Sequence, residues 1–156
     1  MSNGDDRRMT MRVDEAVMKF RNGCNCSQAI LSTYGTAFGL DDALANRLAC
    51  GFGGGMRRAD VCGAVTGALM VLGLRHGPTS CPGQPQKNET YAQVQAFHAR
   101  FAERQRTVMC RDLLGCDIST PEGQQKAQTE QLFKTICPEA VKVAAEILEE
   151  MLGLPA

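Results

Sequence analysis

Along most of this chain apolar residues recur at steps of three and four, and no segment alternates apolar and polar residues with the two-residue period of a half-buried strand. That pattern restricts the fold to helices packed on their apolar stripes. Val13, Ala16, Val17 and Phe20 give the stripe of a first helix, stopped by Asn22-Gly23. Asn25 is placed to cap a second helix carrying Cys26, Ile30, Tyr34 and Ala37 and ending near Gly39. Asp41 or Asp42 caps a short third helix running to about Cys50. The run Gly51-Phe52-Gly53-Gly54-Gly55 is read as loop, because so many glycines cost a helix too much backbone entropy.

Downstream, Asp60 is expected to cap an apolar fourth helix from about Val61 to Leu74. Residues 77–88 hold three prolines and two glycines and form a connector. A long fifth helix is predicted from Glu89 to Leu114, its stripe Tyr91, Val94, His98, Phe101, Gln105 and Val108. Pro121 starts another helical segment containing Leu132, Phe133 and Ile136, and Pro138 begins a last helix with Val141, Ala144, Ala145, Leu148, Met151 and Leu152 on one side. The expectation is an all-α fold: a single domain over residues 1–156, a bundle of six or seven helices, with residues 1–11 flexible.

Composition narrows the function classes. Lys+Arg and Asp+Glu balance at 17 each, so no basic field advertises nucleic acid. The N-terminal segment lacks an apolar core for secretion, and the longest apolar run, Ala64 to Leu74, is too short and Gly-rich for a membrane span. A cytoplasmic protein with reduced thiols is expected. In that setting eight cysteines favour metal binding or redox work over structural disulfides.

Three of these cysteines, Cys26, Cys62 and Cys137, fall at or just before predicted helix starts. Unpaired N–H groups and the positive helix end favour a thiolate there. Cys110 is placed near the end of the long helix, beside Arg111, and Cys116 in the loop after it. None of the spacings matches a zinc finger, a thioredoxin Cys-x-x-Cys or a ferredoxin run, so any site must be assembled from distant segments. Free cysteine also packs as a small hydrophobe, and Cys24, Cys50 and Cys81 are read that way or as bystanders.

The segment Cys50-Gly-Phe-Gly-Gly-Gly-Met56 followed by Asp60-Val-Cys62-Gly-Ala-Val-Thr-Gly67, with Asn25-Cys26-Ser-Gln-Ala-Ile upstream and Cys110 and Ile136-Cys137-Pro downstream, resembles the redox-active family named for its pattern of Cys, Gly-Cys-Ala-x-x-Gly, Cys and Cys. The resemblance spans roughly residues 12 to 152. This chain reads Cys62-Gly63-Ala64 where the family name has Gly-Cys-Ala. By position, the family's cysteines correspond to Cys26, Cys62, Cys110 and Cys137. The resemblance implies redox or metal chemistry, and a related segment accompanies haem domains in a split-Soret type of cytochrome c. The Cys-x-x-Cys-His attachment sequence is absent here, so no covalent haem is expected.

Other features carry less. Gly53-Gly54-Gly55 with Arg57 and Arg58 could bind an anion, although the Gly-Lys-Ser/Thr of a phosphate loop is missing. His98 is read as a buried core histidine and His76 as a helix C-terminal residue. Small residues Gly63, Ala64, Gly67 and Ala68 let either a helix or a cofactor approach closely. The leading expectation is an iron–sulfur cluster or other metal held by Cys26, Cys62, Cys110 and Cys137, with Cys116 in reserve, serving electron transfer or a redox accessory role. A metal-free thiol–disulfide protein is the first alternative, and a structural helical module with packing cysteines the second. The partners expected are a redox protein or a second copy of the chain, with neither nucleic acid nor membrane.

Overall fold

Eight of the nine residues of helix α2, Cys26–Tyr34, are buried, with four other helices laid around it. The computed structural model describes residues 3–154, and side chains from residue 11 onward. Asn25 starts α2 with a full capping box: its side chain accepts from the Gln28 N–H at 2.9 Å, and Gln28 Oε1 accepts from the Asn25 N–H at 2.9 Å. Packed against α2 are α1 (Asn3–Arg21), α3 (Asp42–Ala49), α4 (Gly63–His76) and the last helix, α9 (Cys137–Leu152). Between α4 and α9 in the chain come α5 (Gln86–Gln105), which lies on both, and the short α6 (Cys110–Leu114), α7 (Pro121–Thr129) and α8 (Leu132–Thr135). No strand occurs among the described residues, and the fold is all-α as the periodicity requires.

Two of the small residues explain how α2 and α4 come together. A Cβ built on Gly67 would lie 2.9 Å from the Ser27 carbonyl oxygen, and one on Gly63 would lie 3.1 Å from Cys26 Cβ. Close helix packing is therefore one use of this stripe.

Several expected boundaries move. Helix α1 begins at Asn3, well before its apolar stripe; residues 1 and 2 of the expected flexible segment lie outside the described residues. Asp60 does not cap α4. Cys62 occupies that position, and the Asp60 carboxylate instead meets the Arg111 guanidinium at 2.5 Å. The connector ends at Pro85, because α5 starts directly behind it. The long fifth helix breaks at Arg106, whose φ of 70° ends α5, and Cys110 becomes the first residue of a new helix. His98 is only half-buried; Phe97 and Phe101, one turn apart and stacked at 6.2 Å, are the core residues of α5. His76 is the last residue of α4, as expected.

Apolar side chains gather in two clusters. The larger surrounds α2 with Ile30, Leu31, Tyr34, Val65, Leu72, Phe97, Phe101, Ile147 and Leu148. The smaller joins Ala59, Cys110, Leu114, Ile118 and Ala127, with Leu132, Phe133 and Ile136 against them. At the edge of the larger cluster, Glu149 is almost wholly buried, and Arg12 meets it with a two-pronged contact at 2.6 and 2.7 Å. That carboxylate raises the pKa of Tyr34, second to burial itself. Arg12→Ala should cost about 3 kcal/mol in chemical denaturation, because it strands a buried carboxylate. Replacing both partners, Arg12→Met with Glu149→Leu, should recover most of the loss. Equal destabilisation by the single and double variants would contradict this.

Candidate functional site

The backbone between Cys50 and Cys62 does what few helical connections do. After one 3-10 turn, Cys50–Phe52, the chain winds with the opposite hand: Gly54, Gly55, Met56, Arg57 and Ala59 have φ between 54° and 63°. Glycine adopts this freely, but Met56, Arg57 and Ala59 pay about 1–2 kcal/mol each. Arg111 holds the turn in place, its Nε donating to the Ala59 carbonyl at 3.0 Å and its Nη2 to the Arg58 carbonyl at 3.2 Å. At the other end Asn25 Nδ2 donates to the Cys50 carbonyl at 2.9 Å, and Gly53 sits against the Asn25 side chain, where a Cβ would come within 2.5 Å.

The turn delivers the chain into a short antiparallel pairing with the α5–α6 link. The Cys62 N–H donates to the Val108 carbonyl at 2.8 Å, and the Cys110 N–H to the Asp60 carbonyl at 2.6 Å. This pairing sets Cys62, the N-cap of α4, beside Cys110, the first residue of α6. Cys26 and Cys137 are the first residues of α2 and α9. Thus four helix starts, not three, meet at one place.

All four cysteines line a single cavity of about 150 Å³ where the two apolar clusters adjoin. Leu113, Leu114, Ile118, Phe133 and Ile136 supply apolar wall, Gly63 lets α4 approach, and Arg57 contributes the one cation on the lining. Among the described residues Arg57 has no hydrogen-bond or ion-pair partner. Cys116 is absent from the wall; it packs in the smaller cluster near Cys110. Cys24, Cys50 and Cys81 lie off the cavity, as do both histidines. Among the described residues no three His, Cys, Asp or Glu side chains stand in an arrangement that grips a single metal ion. The glycine-rich segment, read from sequence as loop and weighed as an anion site, forms the left-handed turn that puts Gly54 and Arg57 on the cavity wall.

Electrostatics distinguishes the thiols. Cys26 is held protonated, its pKa well above the ordinary thiol value, first by its hydrogen bond with Cys137, then by that with Cys62 and by burial. Cys62 moves the other way: the Cys26 S–H donates to its sulfur, and the Ala64 and Val65 N–H groups at the start of α4 add to the effect against the cost of burial. Burial pushes Cys110 up to about 12, with the charges of neighbouring cysteines adding and Arg111 opposing. Helix-start placement therefore does not ease Cys26 toward a thiolate; of this hydrogen-bonded pair it is Cys62 whose pKa falls. In the reduced, metal-free protein, thiolate absorbance should rise first from Cys62. Cys62→Ala should remove that first step, whereas Cys81→Ala should leave it.

Cys110 also predicts a pH dependence of stability. Its folded-state pKa lies above that of the unfolded chain, so the folded state keeps a proton that the unfolded state releases. Its contribution is whole below about pH 8.5 and is lost progressively as pH rises toward 12. Metal-free protein should lose denaturation free energy through that window, and Cys110→Ser should flatten the decline. An unchanged slope in the variant would remove Cys110 as its source.

A family model described as "Putative redox-active protein (C_GCAxxG_C_C)" matches residues 24–151. No curated protein and no solved structure matches the chain.

Proposed function

The chain belongs to that C_GCAxxG_C_C family, and from this premise we propose that Cys26, Cys62, Cys110 and Cys137 hold an iron–sulfur cluster or another metal centre, used for electron transfer or as a redox accessory. The observation that carries the reading is the convergence of four cysteines from four separate segments on one cavity. Cysteines serving only as filler would each take their own apolar contact, with no reason to share one. The donor set fits: four soft sulfur ligands, with no carboxylate or imidazole among the lining residues. A volume of about 150 Å³ also exceeds the roughly 30 Å³ share of one water, which suits an inorganic cluster better than a lone ion.

Held by Cys26, Cys62, Cys110 and Cys137, such a centre would supply single-electron exchange with a redox partner. The chain's own residues supply the rest. Leu113, Leu114, Ile118 and Phe133 keep water from the sulfurs, and Arg57 sets a positive charge against an anionic centre. Cys116 is the reserve ligand, close enough to Cys110 to influence its titration. We place the protein in the cytoplasm, where its eight free thiols would stay reduced. No helix among the described residues is long and apolar enough to cross a membrane.

One observation favours the metal-free alternative. A thiol whose hydrogen bond lowers its neighbour's pKa, as Cys26 does for Cys62, is the arrangement of a reactive dithiol. Once Cys62 has ionised, oxidation would join the two sulfurs and pass two electrons and the Cys26 proton to a disulfide or peroxide acceptor.

Anaerobic purification with metal and sulfide analysis decides between them. The expected result is brown protein containing iron and sulfide, with each of Cys26→Ser, Cys62→Ser, Cys110→Ser and Cys137→Ser losing most of the iron while Cys50→Ser and Cys81→Ser retain it. Colourless, metal-free protein that loses two thiols on mild oxidation would overturn the cluster in favour of the dithiol.

A further inference from the structure

Beside the cysteine cavity lies a second, more open groove of about 510 Å³, and Phe20 and Phe133 line both. The two spaces thus share part of one aromatic wall. Pro138 extends its apolar wall, while Arg21 and Lys134 bring two cations to it and no acidic residue lines it. Most of the basic side chains near α1, α5 and α9 are neutralised: Arg12, Lys19, Arg100, Arg104 and Lys142 each meet a carboxylate. Arg21 and Lys134 do not. Among the described residues neither has a hydrogen-bond or ion-pair partner for its side chain.

Two unpaired cations over an apolar floor select for a ligand with both characters. A flat ring system would cover Phe20, Phe133 and Pro138, which prefer offset or edge contact with another ring. A phosphate on that ring system would take the guanidinium fork of Arg21 and the point charge of Lys134. The volume lies within the range of small-molecule sites. We propose that this groove binds a planar aromatic monophosphate of the flavin mononucleotide class. Its binding goes beyond the cysteine centre and does not require it, because none of the four cysteines lines the groove.

The probe is flavin mononucleotide itself, titrated into the purified protein and followed by quenching of its fluorescence, with riboflavin and inorganic phosphate as separate arms. Saturable quenching by flavin mononucleotide is expected, with riboflavin binding about tenfold or more weakly, the loss that one charge-assisted hydrogen bond explains. Arg21→Glu and Lys134→Glu should each weaken flavin mononucleotide by at least about tenfold while leaving riboflavin unchanged. Both residues are exposed, so the variants should keep the helical circular dichroism of the parent. They should also keep its iron and sulfide content. The same affinity after removal of any metal by a chelator would separate this site from the cysteine centre. Absence of saturable binding up to about 1 mM, equal affinity for the two flavins, or competition by phosphate alone as strong as by flavin mononucleotide would overturn the proposal. So would full affinity in the doubly substituted protein.

Discussion

The Cys62 N–H to Val108 and Cys110 N–H to Asp60 hydrogen bonds, at 2.8 and 2.6 Å, tie together two distant segments, each of which reaches both apolar clusters. Cys62 lies in the larger cluster with α2 and α4, and Cys110 in the smaller with Leu114 and Ile118. Each such bond contributes about 1 kcal/mol net, so neither dominates stability. Their importance is positional. Extended backbone at residues 60–62 and 108–110 is what allows two helices to begin side by side with their first sulfurs facing a common space. A continuous helix from Glu89 to Leu114 would have removed the acceptor at Val108 and carried Cys110 elsewhere around its axis.

Holding those two segments together requires a backbone that most sequences avoid. Met56, Arg57 and Ala59 in the left-handed region together cost several kcal/mol. Arg111 offsets part of this by closing two carbonyls of the turn and the Asp60 carboxylate with one guanidinium. Because Arg111 directly follows Cys110, the residue that clamps the turn also fixes the start of α6. The conformation brings Gly54 and Arg57 to the cavity wall, so the strained backbone and the cysteine site are one unit.

Much of this was readable from the chain, for identifiable reasons. Asn25 before an apolar run, Asp41 before another, and Pro138 near the start of the last stripe are local devices that act within one helical turn, and the helices they predict are present. Cys26 and Cys137 were therefore placed at helix starts correctly. Cys110 was not, because nothing between Glu89 and Leu114 is glycine or proline, and the break at Arg106 answers to a long-range pairing with residues 60–62. Asp60 misled for the same reason: it looks like a cap, but its partner, Arg111, lies in a distant segment. Sequence periodicity also chose His98 over Phe97, although the aromatic pair Phe97 and Phe101 at one-turn spacing was visible and buries more apolar surface.

Four thiols around about 150 Å³ cannot all ionise, since like charges in a low-dielectric space repel strongly. The cavity divides the burden unequally: Cys62 is eased toward ionisation, Cys26 keeps its proton, and burial pushes Cys110 up to about 12. A bound metal would invert that order, because its charge favours the thiolate at every ligand position, while the Arg57 guanidinium on the wall offsets the net negative charge of four thiolates. The same arrangement then accounts for both states. Without metal, Cys62 at the N-terminus of α4 ionises more readily than Cys26 or Cys110 and offers a first point of capture, and those protonated neighbours let the cavity stay closed without a large repulsion. Loading must expel the remaining protons, so affinity falls as pH falls, and the steepness of that fall reports how many cysteines join the centre.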